Sequence, residues 1–130
     1  MTAYLLDTNA FAMAITGDSR LPEPAYARMR AATRLYISVI SFYEIGQKVR
    51  LGKWPDMAPF VKTLEQQART DGYELIPLTA SAALDASMLD WEHRDPFDRM
   101  IAAVALGERL EVISSDGAFD DIDVTRHWAS

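Results

Sequence analysis

Apolar and polar positions along the 130 residues fall into blocks whose period switches between that of a strand and that of a helix. Tyr4-Leu5-Leu6 is a short apolar run that ends abruptly in Asp7-Thr8-Asn9. Consecutive apolar residues of this length predict a strand buried on both faces, as in a parallel sheet with helices on each side. Ala10 to Ile15 reads as a short helix stopped by Gly17, and Pro24 opens a helix running to about Thr33. Leu35 to Ile40 is rich in β-branched residues and predicts a second strand. Helices follow from Phe42 to Leu51 and from Pro55 to about Thr70. Tyr73 to Leu78 is a third strand, and Thr79 caps a helix from Ala80 to about Glu92. Asp95-Pro96 opens a helix to Leu110 with the apolar stripe Ile101, Val104 and Ala105. Glu111 to Ser114 is a fourth strand, Asp116-Gly117 a turn, and Ile122 to Thr125 a short fifth strand.

Strands alternating with helices at this spacing predict an α/β fold on a mostly parallel sheet. No repeat, linker or low-complexity segment divides the chain, so residues 1–130 are expected to form one domain. Cysteine is absent, which excludes disulfides and thiolate metal sites. The two histidines, His93 and His127, lie too far apart in sequence to suggest a His-rich zinc site. No stretch approaches the ~20 apolar residues of a membrane span, and the start lacks the features of a signal peptide. A cytoplasmic protein is expected. The net charge of -6 is the opposite of a non-specific nucleic-acid binder's footprint. A nucleic-acid role therefore requires the acids to be gathered at one site with cations, or positive charge from a partner.

The predicted layout gathers acids. Asp7 follows the first strand, Glu44 is expected in the first turn of the helix after the second, and Asp116 follows the fourth. In a parallel sheet these positions share one edge, where open α/β sheets place their ligands. Asp98 joins them if its helix starts at that edge. Singly, each acid reads better as a helix cap. Ser41-Phe42-Tyr43-Glu44 matches a capping box. Asp95-Pro96-Phe97-Asp98 fits a helix start, and Asp116-Gly117 an ordinary turn. Together they fit caps less well, because crowded carboxylates repel unless a cation intervenes. All-oxygen ligands favour Mg²⁺ or Mn²⁺, and such a site suits metal-assisted phosphodiester hydrolysis.

Four motifs also carry a resemblance: Leu5-Leu6-Asp7-Thr8-Asn9, Ile40-Ser41-Phe42-Tyr43-Glu44-Ile45-Gly46, His93-Arg94-Asp95-Pro96-Phe97-Asp98-Arg99-Met100-Ile101-Ala102-Ala103, and Ile113-Ser114-Ser115-Asp116-Gly117-Ala118-Phe119. In this order and at this length, the chain resembles PIN-domain ribonucleases, specifically VapC-type toxins of type II toxin–antitoxin pairs. The resemblance implies an α/β/α sandwich and Mg²⁺- or Mn²⁺-dependent endoribonuclease activity that leaves a 5′-phosphate. It implies Asp7, Glu44, Asp98 and Asp116 as the catalytic and metal-holding acids, with Asp7 and Asp98 at the core of the set. Thr8, Asn9, Ser114 and Ser115 are expected as polar support. It further implies an RNA substrate, a homodimer, and a cognate antitoxin binding near the first two helices. The fourth acid departs slightly from the family's Thr-x-Asp, standing here as Ser114-Ser115-Asp116.

Among the basic residues, Lys48 sits four after Glu44, the spacing of a helical ion pair. Lys48, Arg50, Lys53 and Arg99 are the alternative: contacts to RNA phosphates. His93 is expected to be structural or at the surface rather than a general base. Rival classes fail on single residues. A receiver domain needs a late lysine, and none follows Lys62; haloacid-dehalogenase-type phosphatases and DEDD-type exonucleases need an acid at position 9, which is Asn9. The remaining rival is a PIN-fold module that binds RNA or protein without cleaving.

Overall fold

A computed structural model describes residues 2–130. Five parallel strands form one sheet: β1 (Ala3–Leu6), β2 (Arg34–Ser38), β3 (Tyr73–Ile76), β4 (Glu111–Ile113) and β5 (Arg126–His127), in the spatial order β3-β2-β1-β4-β5. Six α-helices flank it: α1 (Thr8–Thr16), α2 (Glu23–Ala31), α3 (Val39–Arg50), α4 (Leu64–Thr70), α5 (Ala80–Met88) and α6 (Pro96–Glu108).

The apolar run at the start is the centre of the sheet. Alternation along β1 sends Tyr4 and Leu6 to one face and Leu5 to the other. Tyr4 and Leu6 join Ile37, Ile113 and the buried residues of α1 to α4, including Phe11 and Ile45. Leu5 joins Val112, Phe119 and the α6 stripe Ile101, Val104 and Ala105. Both faces are thus covered by helices, giving the three-layer α/β/α sandwich expected of the sequence.

The strand order also locates a crevice. The chain runs outward from β1 through β2 to β3, then returns to place β4 on the other side of β1. The order therefore reverses between β1 and β4, the point where open α/β sheets bind ligands. Asp7 and Ser114 are the residues directly beyond these two strands, and the Asp7 N–H donates to the Ile113 carbonyl at 3.1 Å.

Several boundaries differ from expectation. The second strand ends at Ser38, and Val39 and Ile40 open α3. Ser38 is the N-cap, its hydroxyl accepting from the Ile40 N–H at 3.3 Å. Ser41-Phe42-Tyr43-Glu44 is consequently not a capping box: Ser41 is buried within the helix, and Glu44 lies in the second turn rather than the first. β-Branched Val39 and Ile40 suit a strand locally, but the cap and the packing of Ile45 set the boundary three residues earlier. Pro59 interrupts the helix expected from Pro55; Pro55–Thr63 is 3₁₀ and only Leu64–Thr70 is α. The last strand is Arg126–His127, not Ile122 to Thr125.

Leu5 is fully buried between the two helical layers. Leu5→Ala is expected to cost roughly 2–5 kcal/mol, measurable as a lower denaturation midpoint with an unchanged slope.

Candidate active site

Asp7 stands where β1 meets α1, and its two carboxylate oxygens have different duties. Oδ1 caps α1, accepting from the Ala10 N–H at 2.9 Å. Oδ2 accepts from the Ser114 hydroxyl at 2.5 Å across the β1–β4 switch. Asp116 is divided in the same way. Its Oδ1 accepts from the Ala118 N–H at 2.9 Å and caps the 3₁₀ turn Gly117–Asp121, while its Oδ2 lies 3.9 Å from His93 Nε2. Capping and membership of an acidic site are therefore compatible, because a carboxylate offers two oxygens. Ser114 joins the two acids: its hydroxyl also accepts from the Asp116 N–H at 2.9 Å.

Asp98 arrives on α6. Asp95 is the N-cap, its side chain accepting from the Phe97 and Asp98 N–H groups, which turns Asp98 into the first helical turn. The helix does start at the mouth. Asp98 and Glu44 both raise the pKa of Asp7 through their charge, and Glu44 does the same to Asp98. Glu44 comes from α3, where its side chain is only 6% exposed. Its Oε2 accepts from Lys48 Nζ at 2.5 Å, whereas its Oε1 is buried without any hydrogen-bond partner.

Burial decides the electrostatics. Removal from water is the largest influence on Asp7, and with its acidic neighbours it outweighs the Ser114 and Ala10 hydrogen bonds, pushing the pKa up to about 6. Burial also holds Asp98 above the usual carboxylate range, partly offset by the hydrogen bond from His93.

The supporting residues separate. Thr8 is buried and donates to the Ser41 hydroxyl at 2.9 Å, tying α1 to α3 beneath the acids. Asn9 and Ser115 are exposed and line a groove of about 610 Å³ beside the site, with Met13, Trp54 and Phe60. Lys48 forms the i,i+4 pair with Glu44 and lies 5.7 Å from the centre of the Trp54 ring, so its charge is engaged within the protein. Arg50 and Lys53 are exposed.

One expectation needs correction. Arg99 does not present its guanidinium to solvent beside Asp98. It donates to four carbonyls, those of Ala86, Leu89, Trp91 and His93, at 2.7 to 3.0 Å. Its fork is consumed in clamping the segment between α5 and α6, so it is unsuited to binding phosphate. His93, expected to be structural or at the surface rather than a general base, is hydrogen-bonded into the site. Its Nε2 lies 2.7 Å from Asp98 Oδ2, and its ring packs on Trp91 with centroids 4.8 Å apart. His93, Asp98 and Asp116 each bring one ligand atom within 4.8 Å of the others. The sequence held a signal for this: His93 is five residues before Asp98, in the loop leading into its helix.

Comparisons with known proteins agree with this architecture. Residues 4–124 match the family model described as PIN domain. No curated protein sequence matches the chain. Among solved structures, VapBC2 from Rickettsia felis bound to a promoter DNA fragment superposes with a TM-score of 0.70 at 18% identity, over 98% of this chain and 99% of that one. VapC20 of Mycobacterium tuberculosis, a toxin that cleaves the sarcin–ricin loop, gives 0.69 at 13% identity over 96% and 98%. A toxin–antitoxin complex from Klebsiella pneumoniae gives 0.61 at 20% identity over 92% of each chain. At such identities the likeness is one of fold.

A raised pKa implies a definite pH dependence. Between the unfolded value of 3.8 and about 6, the folded protein binds a proton at Asp7 more tightly than the unfolded chain. Asp7 therefore lowers stability as pH rises through this window. Without divalent metal, Asp7→Asn is expected to gain on the wild type from pH 4 to pH 7, by roughly 3 kcal/mol at most for a shift of about two pKa units. Denaturation of both proteins across that range, in chelator, measures the difference; a difference constant with pH contradicts it.

Proposed function

The chain belongs to the PIN-domain family, and from that premise we propose that it is a divalent-metal-dependent endoribonuclease acting as the toxin of a toxin–antitoxin pair. One observation carries the reading above all. Buried carboxylates converge at the sheet's switch point, and one of their oxygens, Glu44 Oε1, has no partner within the protein. An unpaired buried acceptor is costly. A hard cation would satisfy it and offset both the burial of the Asp7 charge and its repulsion from the neighbouring acids. The donors are carboxylate oxygens in the main, which fits Mg²⁺ or Mn²⁺.

Asp7, Glu44, Asp98 and Asp116 would hold the cation. When bound, it supplies positive charge against the phosphate oxygens and lowers the pKa of water. The protein's own groups supply orientation. Ser114 fixes Asp7 and Asp116 relative to each other, Lys48 fixes Glu44, and the Asp95 cap fixes the first turn of α6 that bears Asp98. Attack of water on phosphorus breaks the bond to the 3′ oxygen, which takes up a proton, leaving a 3′-hydroxyl and a 5′-phosphate.

Arg50 and Lys53 are exposed cations that would contact RNA phosphates. The groove beside Asn9 and Ser115 is suited to a segment of the antitoxin, and Leu84 and Met88, 67% and 82% exposed on α5, to the face of a homodimer. Among the described residues no helix is long and apolar enough to cross a membrane.

Asp7→Asn and Asp98→Asn are each expected to reduce cleavage of RNA in Mg²⁺ or Mn²⁺ to background while circular dichroism stays that of the wild type. Chelator should abolish wild-type cleavage and re-added metal restore it. Wild-type rates in either variant would reject the assignment, and metal binding without cleavage of any RNA class would favour the non-cleaving module.

A further inference from the structure

Resting on the reading that the acidic mouth holds a divalent cation, we propose that His93 is a direct nitrogen ligand to that cation, alongside Asp98 and Asp116. This ligand favours transition-metal ions such as Mn²⁺ and Co²⁺ over Mg²⁺.

The spacing suits coordination. His93 Nε2 is 2.7 Å from Asp98 Oδ2 and 3.9 Å from Asp116 Oδ2. With bonds of about 2.1 Å, adjacent ligands of an octahedral ion lie ~3.0 Å apart and opposite ones ~4.2 Å apart. The His93–Asp116 separation falls between these values, and the His93–Asp98 pair, now a hydrogen bond, needs to open by only ~0.3 Å to reach the lower one. A histidine serving only to hydrogen-bond Asp98 accounts for the first distance and leaves the approach to Asp116 unused.

The ring is also held in place from several directions. Arg99 grips the His93 carbonyl at 3.0 Å and the Trp91 carbonyl at 2.7 Å. The His93 ring packs on the Trp91 indole. The indole N–H in turn donates to the Ala118 carbonyl at 3.1 Å, two residues beyond Asp116. The loop bearing His93 and the loop bearing Asp116 are therefore joined by one continuous set of contacts. Backbone and ring face are thus both held, which gives the Arg99 clamp a purpose: it positions His93. Independently, the partnerless Glu44 Oε1 shows that the acids near His93 are not satisfied by the protein alone.

Ligand chemistry sets the preference. Mg²⁺ seeks oxygen donors and keeps water in preference to nitrogen, whereas imidazole is a ligand for first-row transition metals. Replacing one oxygen by His93 nitrogen should therefore raise affinity for Mn²⁺ and, further along the Irving–Williams order, Co²⁺.

Tag-free full-length protein loaded with Mn²⁺ and studied by pulsed electron paramagnetic resonance tests the ligand directly. Nitrogen-14 modulation of a coordinated imidazole is expected in the wild type and should vanish in His93→Gln and His93→Asn. Calorimetry should show these variants losing Mn²⁺ affinity by ~10-fold or more, with Mg²⁺ affinity changed far less. Wild-type protein that binds Mn²⁺ without nitrogen modulation overturns the assignment whether or not the variants fold, and so does a signal that survives in both variants. Either result leaves the cation reading standing. Wild-type protein that binds neither ion overturns that reading and this one together.

Discussion

Carboxylates taken out of water together repel one another, and this protein buries Asp7 and Glu44 almost fully and Asp98 in large part at one mouth. Everything around them can be understood as a response. Ser114 donates to Asp7, Lys48 to Glu44 and His93 bonds Asp98, one polar partner from each direction. These partners offset only part of the cost: burial first, and the neighbouring acids after it, still hold Asp7 and Asp98 above their ordinary range. Such residual strain is affordable because the sheet beneath is built from Leu5, Leu6, Val112 and Ile113, all fully buried.

The fold brings the acids together by topology rather than by local sequence. Reversal of strand order between β1 and β4 opens the crevice, and the strand ends deliver Asp7 and Ser114 to it. Two helices then add one acid each: α3 from its second turn, α6 from its first. Asp7 and Asp116 cap the structures that follow them with one oxygen and keep the other for the mouth. The site is therefore economical in residues. Its scaffold and its chemistry share side chains, so a substitution at either aspartate also touches a helix end.

Positive charge is similarly committed. Lys48 pairs inward and Arg99 clamps a loop. An acidic chain proposed to act on RNA thereby loses two candidate phosphate contacts, while Arg50 and Lys53 remain exposed. Bound divalent metal would then supply much of the attraction for phosphate, which ties substrate affinity to metal occupancy.

The order of strands and helices was legible in the primary sequence because burial on two faces leaves continuous apolar runs, and helix starts leave caps such as Thr79 and Asp95. The family was legible too, from four short motifs in order, and with it the fold. Side-chain partnerships were not. Ser41 looked like a cap because spacing alone cannot distinguish a helix's first turn from its second; packing of Ile45 and the Ser38 cap decided that. Arg99 stood as an alternative phosphate contact and the partners of His93 were not visible, since both depend on contacts between the loop after α5, the start of α6 and the turn after β4. Local sequence encodes propensity and pattern. Which polar group meets which across the sheet edge is set only when distant segments close on one another.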